Sequence, residues 1–299
     1  MKYQIQGHTY TYSNQIRDNL DLRRSFDSLA QKTFELSFEN WHKAGYWTER
    51  YLPHVLVKND QVVANVSINI IDTVWKSEPK RYIQIGTVMT DSRYQGQGLS
   101  RFLTERALQE WENKCDAIYL YANDTVLDFY PKFGFIKENE YVHKTRLKRT
   151  STSPQHSVRK LDMSRNEDIN LLLKTYKKSN PFSALPFIGS EGLLMFYCSQ
   201  FMQNQIYYIE NIETVVIAEE EQNLLTCFDI FSDTRLGLHE VLSLVSSNNV
   251  EDITLGFTPR DATAYEVTAV QEPETLFVYS KKENIFRHNQ VRMPTLSHA

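Results

Sequence analysis

The chain has 299 residues, of which 41% are hydrophobic and 23% charged, with only ten glycines and nine prolines. That balance excludes disordered and fibrous classes, and the length exceeds what one compact core usually absorbs, so two domains are expected. A net charge of −4 with both signs interspersed provides no basic stripe for nucleic acid and no polybasic run for a membrane surface, which leaves small-molecule or protein partners.

The opening MKYQIQGHTYTYSNQIRDNL is polar and has no apolar signal core. No apolar stretch approaches the roughly 20 residues that cross a bilayer, so a cytoplasmic location is expected. Cys115, Cys198 and Cys227 are odd in number and far apart, as befits reduced thiols packed as small buried residues. The eight histidines have no ligand-spaced companions, so no metal is expected.

In chain order, Leu22, Phe26, Leu29, Thr33 and Leu36 recur at helical spacing, and a second short helix carries Phe38, Trp41 and Tyr46. The period then changes to that of strands over 52–57 and 62–71, across a turn at Asn59 and Asp60, with a third strand over 81–89. A polar loop with two glycines follows over 91–98. Leu99, Phe102, Leu103, Ala107 and Trp111 then mark a helix, 117–122 a strand, 125–132 a short helix and 141–147 a final strand. Polar residues around Pro154 read as a linker over 149–157. Beyond it the order of elements repeats: helices over 167–176 and 192–201, strands over 205–231, a helix over 238–245, and strands over 253–257 and 276–279. The expected division is therefore one domain over 1–148 and a diverged copy over 158–299.

IGTVMTDSRYQGQGLSRFL, at 85–103, is an apolar strand, a loop with glycines two apart and an amphipathic helix. Such a segment can cradle phosphate, because glycines let backbone N–H groups turn inward and the new helix adds its own free donors. The spacing is neither GxGxxG nor that of a P-loop, and taken alone the segment reads first as a turn that needs glycine. It resembles, however, the acyl-coenzyme A signature [RQ]xxGx[GA] of the Gcn5-related N-acetyltransferases (GNAT), with Arg93, Gly96 and Gly98 in the specified places. Downstream, YLYANDTVLDFYPKFGF at 119–135 resembles the family's second signature, a strand ending in Asn123 and a helix closing with FYxKxGF.

The resemblance spans roughly residues 1–148 and implies an α/β (α+β) fold: a mixed, mostly antiparallel sheet flanked by helices, here in two tandem copies. It implies acetyl-CoA as cosubstrate and an amine, small or peptidic, as acceptor. Backbone N–H groups of Tyr94, Gln95, Gly96, Gln97, Gly98 and Leu99 would hold the pyrophosphate, with Arg93 shaping the loop. Val88, Met89 and Thr90 would pair with the pantetheine arm, and an N–H of Val88 or Met89 would polarise the thioester carbonyl. Asn123 would either bond the pantetheine or cap a helix. Tyr130 occupies the place of the general acid that protonates the departing thiolate; Pro131 beside it departs from the family's pattern and shortens the helix.

The strand before the loop offers no base, having Tyr82, Gln84, Gly86 and Thr87 where relatives carry Glu or His. Asp72, Glu35 or Glu39 through water, His54, or no base at all remain open. In overall plan the chain also resembles tandem acetyltransferases of the enhanced intracellular survival type, which adds the carboxylate of Ala299 as a further option, set against the plainer reading of a frayed tail. On the acceptor side, Glu35, Phe38, Trp41 and Trp47 form either an aromatic wall for a partly apolar cation or a core stripe. The second half contains only Gly237 where a phosphate loop belongs, so it is expected to bind no coenzyme. An acetyl-CoA-binding regulatory module is the alternative to an enzyme, and self-association is left open.

Overall fold

The computed structural model describes residues 1–149, 156–271 and 273–298. It opens with a hairpin of β1 (Lys2–Ile5) and β2 (His8–Ser13) around Gln6 and Gly7, both at positive φ. The sequence reading began with helices instead. The hairpin's apolar alternation, Tyr3 and Ile5 then Tyr10 and Tyr12, is short and set among polar residues, which hid it. Helix α1 (Leu20–Phe34) is capped by the Asn19 carboxamide, which accepts from the Leu22 N–H at 3.1 Å, and it stops where Glu35 turns left-handed at φ 57°. Helix α2 (Glu39–Lys43) buries Trp41.

Strands β3 (Tyr51–Lys58), β4 (Gln61–Trp75) and β5 (Glu78–Thr90) form an antiparallel meander. Its two-residue turns, Asn59 with Asp60 and Lys76 with Ser77, have all four residues at positive φ, the conformation that suits the twist of a tight hairpin. Helix α3 (Leu99–Trp111) crosses over to β6 (Ala117–Ala122), which runs parallel to β5. The helix expected over 125–132 is two 3-10 turns, Asp124–Val126 and Tyr130–Phe133; Pro131 cannot donate the bond that would continue it. Strands β7 (Ile136–Lys137) and β8 (Tyr141–Arg146) follow.

The second half contains β9 (Val158–Lys160), α4 (Asn166–Tyr176), α5 (Glu191–Gln200), β10 (Ile206–Ile209), β11 (Thr214–Glu221), β12 (Leu224–Phe231), α6 (Leu238–Val245), β13 (Asp252–Leu255), β14 (Glu266–Ala269) and β15 (Thr275–Tyr279). Among the described residues, one sheet has the order β1-β2-β3-β4-β5-β6-β15-β7 and the other β14-β8-β13-β12-β11-β10-β9. Each has a single parallel pair bridged by a helix, β5 with β6 and β12 with β13. The two share one plan, a mixed and mostly antiparallel sheet flanked by helices. They also exchange a strand. β8, read from sequence as closing the first unit, pairs with β13 and β14, while β15 lies between β6 and β7. Hydrophobic patterning marks such strands but cannot say which sheet receives them.

A buried cluster runs between the halves. Phe38 stacks on Phe196 of α5 with ring centroids 5.5 Å apart, and the Trp41 indole N–H donates to the Gly192 carbonyl at 2.7 Å. The exchange has a testable consequence. A fragment ending at Arg149 lacks β15, which covers β6 along Ile118 to Ala122, and leaves β8 without its sheet. It should show no cooperative melt by circular dichroism where the full chain does; a sharp transition in the fragment would refute this dependence.

Candidate functional site

β5 and β6 pair only where Tyr82, Ile83 and Gln84 face Ala117, Ile118 and Tyr119. Beyond that point the two strands part, and a cleft of about 430 Å³ opens between them, lined by Gln84 to Val88 on one side and Tyr121 to Asn123 on the other. A β-bulge sits at its centre: the β4–β5 register passes from Ser67 opposite Gly86 to Asn65 opposite Met89. Thr87 takes up the irregularity at φ 48°, a region that costs a non-glycine residue roughly 1 kcal/mol or more unless its surroundings impose it. Here they do. The Asn65 carboxamide donates to the Thr87 carbonyl at 2.7 Å and to Ser67 Oγ at 2.8 Å; Ser67 Oγ donates to Tyr51 Oη at 2.9 Å, and Tyr51 Oη donates to Thr87 Oγ1 at 3.0 Å. Sequence reasoning did not find Tyr51, Asn65 and Ser67, because nothing local marks them.

Downstream of Val88, Met89 and Thr90, the loop is shaped by its own ion pair. Arg93 Nη2 lies 2.9 Å from Asp91 Oδ2, and this contact holds the Asp91 carboxyl down at about 2. Tyr94 turns back onto the Asp91 carbonyl at 2.8 Å, and Gln97 accepts from the Tyr10 hydroxyl at 2.5 Å. Gly96 and Gly98 have φ of 74° and 73°, which glycine adopts without strain. Gly98 is the N-cap of α3, whose first turn begins at Leu99 and has no acidic residue, so its N–H donors present positive potential to the loop. Glycine freedom, an open helix start and a parted strand pair fit a diphosphate on a thiol-bearing arm.

Tyr130 is 5% exposed and lines the cleft, and burial pushes its phenol up to about 12. It stays protonated across the physiological range. Asn123 also lines the cleft, and its Oδ1 accepts from the Thr125 N–H at 3.1 Å, the capping arrangement.

On the acceptor side, Phe38, Trp41 and Trp47 are all buried and pack with Phe26 and Tyr51. Phe38 and Trp41 line an apolar chamber of about 40 Å³, which shares Leu36 and Thr87 with the larger cleft and is closed by Leu193 and Phe196 from the second half. Trp47 instead donates to the Tyr51 carbonyl inside the core, and Glu35 is exposed at the end of α1, lining neither space. The base candidates are dispersed. Asp72 pairs with Arg50 and Arg81, each at 2.7 Å, and Glu39 pairs with Arg23 at 2.8 Å. His54 is fully buried against Tyr12, with burial pushing it down to about 4. Ala299 lies outside the described residues. The cleft also brings in Tyr197, Glu274 and His298, which the sequence did not suggest.

In the second half, the N-cap of α6 is Gly237, whose N–H donates to the Glu240 carboxylate at 2.7 Å. A carboxylate thus occupies the helix end that α3 leaves open to an anion. The three cysteines are buried, and no cluster of three or more metal-ligating side chains occurs among the described residues. No helix among them is long and apolar enough to cross a membrane.

Residues 17–135 match the model of the acetyltransferase (GNAT) family, so this segment carries a GNAT domain. No curated protein sequence matches the chain. Among solved structures, a conserved protein of unknown function from Enterococcus faecalis V583 aligns with TM-score 0.62 at 12% identity, over 91% of this chain and 72% of that one. A GCN5-related N-acetyltransferase from Kribbella flavida aligns with TM-score 0.56 at 15% identity, over 91% and 72%. Eis1 from Mycobacterium abscessus does so with TM-score 0.55 at 14% identity, over 91% and 73%. At these identities the likeness is one of fold.

His54 gives the site's scaffold a pH signature. Its folded pKa, about 4, lies below the ordinary 6.5, so folding favours the neutral ring. The stability this adds is fully present above pH 6.5 and is lost as pH falls towards 4, about 3 kcal/mol in all. Asp229, pushed by burial from 3.8 up to about 7, works in the opposite sense over the same window, so the wild-type curve alone understates the effect. Denaturant unfolding at pH 7 and pH 4 should show wild-type protein losing about 3 kcal/mol more than His54→Gln; equal losses would refute the assignment.

Proposed function

We propose that the chain transfers the acetyl group of acetyl-CoA to a primary amine by direct attack, with Tyr130 as general acid. The observation that carries this reading is the convergence of Thr87, Val88 and Tyr130 on one cleft, with Asn123 opposite, just past the end of β6. The edge of β5 from Ile85 onwards is released from β6 and accepts the pantetheine arm as an added strand. N–H groups from Gln95 to Leu99 hold the pyrophosphate, the Tyr94 N–H expected with them being already donated to the Asp91 carbonyl at 2.8 Å. The Val88 or Met89 N–H donates to the thioester carbonyl as charge develops on its oxygen.

The amine nitrogen forms the C–N bond as the C–S bond breaks, and the electron pair leaves on sulfur. Tyr130, kept as the neutral phenol by its burial, gives its proton to the thiolate, and the proton that the acylated nitrogen sheds returns the phenolate to phenol. Asp72 and Glu39 are held in ion pairs and His54 faces another core. An amine that arrives neutral fits this arrangement. The chamber behind Thr87, walled by Leu36, Phe38, Trp41, Tyr51 and Phe196, suits an acceptor carrying a compact apolar group.

Thiol release from acetyl-CoA, measured with spermidine, phenethylamine, kanamycin and a lysine-containing peptide, tests the reading; binding of acetyl-CoA with no release for any amine would favour a regulatory module. Tyr130→Phe should lower kcat by about 100-fold and leave acetyl-CoA affinity within about twofold. Unchanged turnover would remove Tyr130 from the mechanism. Calorimetry should find one equivalent of acetyl-CoA per chain, and a second would contradict the closed helix start at Gly237.

A further inference from the structure

The second half keeps the device that opens the cleft in the first. β12 and β13 pair in parallel only as far as Cys227 opposite Leu255, and the β11–β12 register skips Phe228 between the pairs Ile217 with Asp229 and Ala218 with Cys227. The bulge therefore follows the end of parallel pairing, as it does at Thr87. Here the resulting gap is filled by the chain itself. The Thr295 N–H donates to the Gly256 carbonyl at 2.8 Å, and the Arg292 N–H and carbonyl both bond Thr258 Oγ1, at 2.7 and 3.1 Å. Met293, Leu296 and Ser297 are fully buried. Only glycine fits at 256: a Cβ there would lie 2.8 Å from Thr295 Oγ1 and 3.0 Å from Phe228 Cα.

From this groove the segment runs on to the other half. The Met293 N–H donates to Glu140 Oε1 at 2.7 Å, Tyr119 Oη donates to the Ser297 carbonyl at 3.4 Å, and Tyr197 Oη donates to the His298 carbonyl at 2.6 Å. His298 thus arrives at the wall of the reaction cleft. Its Nε2 is 2.8 Å from Tyr121 Oη, whose own proton is donated to Glu140 Oε1 at 3.1 Å. A hydroxyl has one proton, so at Nε2 Tyr121 can only accept. Nε2 therefore carries the ring proton, and Nδ1 is left as the acceptor of the imidazole.

We propose that the second half's groove is the seat of the chain's own C-terminal segment, and that this seat presents His298 to the cleft as the hydrogen-bond acceptor orienting the attacking amine. This rests on the amine acyl-transfer reading. Burial beside Arg292 keeps the ring neutral, so it competes for an N–H of the amine without repelling it, and the amine lone pair stays free for the thioester.

Two variants test the two parts. With the best amine of the panel above, His298→Ala should lose at least tenfold in kcat/KM for the amine, keep acetyl-CoA affinity within twofold, and regain activity in part when imidazole is added. A change of less than twofold would overturn the role. Amide exchange should find 292–298 protected in wild-type protein and released in Gly256→Ala. That variant's activity should fall to the level of His298→Ala, and the double variant no lower. Free exchange of the segment in wild-type protein would overturn the seat, and full activity in Gly256→Ala with the segment released would overturn its part in presenting His298. Wild-type protein that takes up no acetyl-CoA would sink the acyl-transfer reading, while the exchange measurement would still decide whether the seat exists.

Discussion

The exchange of β8 and β15 is the constraint on which the other features depend. β6 borders the cleft along one edge and pairs with β15 along the other, from Ile118 to Ala122. A strand that parts from its neighbour on one side stays flat and extended only if its other side is fully bonded, because unmet backbone donors and acceptors would otherwise recruit whatever lies near. β15 supplies that bonding from the far end of the chain. In return, β8 gives β13 the same support from Arg146 to His143. Neither sheet is complete without the other half, so the halves keep a fixed relation that permits residues of both to line one cleft.

The bulge at Thr87 is the second requirement. It turns the strand at the point where the thioester would lie, and its positive φ is imposed by hydrogen bonds from three strands: Tyr51 on β3, Asn65 and Ser67 on β4, and Thr87 itself on β5. Strain of this kind is kept where the surroundings over-determine it. The aromatic cluster behind it, with Phe38 against Phe196 and Trp41 bonded to Gly192, anchors β3 from below. In this way a contact between the halves is linked to the geometry of the loop that follows β5.

Much of this was legible in the sequence because it is local. The glycines at 96 and 98, the apolar face from Leu99 to Trp111 and the FYPKFGF run announce loop, helix and turn within a few residues, and Pro131 foretold the short helix. What was not legible depends on distant partners. Membership of β8 and β15 in one sheet or the other leaves no mark in their alternation, since an inward-facing valine or phenylalanine reads the same in either. The bulge-holding Tyr51, Asn65 and Ser67 are ordinary strand residues until the register is known. Trp47 and Glu35 looked alike as acceptor-side residues, yet one is sealed in the core and the other stands in solvent, because periodicity specifies a face and not what covers it. His298 lay in a tail with no pattern, and Tyr119 and Tyr121 on β6 with Tyr197 on α5 give it a place.

A duplicated plan with two strand openings confronts each half with the same problem, the unmet backbone that a parted parallel pair exposes. The first half leaves the opening to solvent; the second closes it with 292–297 and closes its helix start with Glu240. The distinction comes down to small differences in local chemistry. Gly98 with no acidic residue behind it leaves N–H donors facing outward, whereas Gly237 has Glu240 three residues on. Gly256 admits a peptide that any side chain would push out. A groove closed by the chain's own backbone satisfies its donors and acceptors permanently, which makes it a structural element and fixes where the segment emerges. The duplicate thus has its strand opening filled and a fixed exit for its tail, and that exit faces the cleft which the first half keeps open.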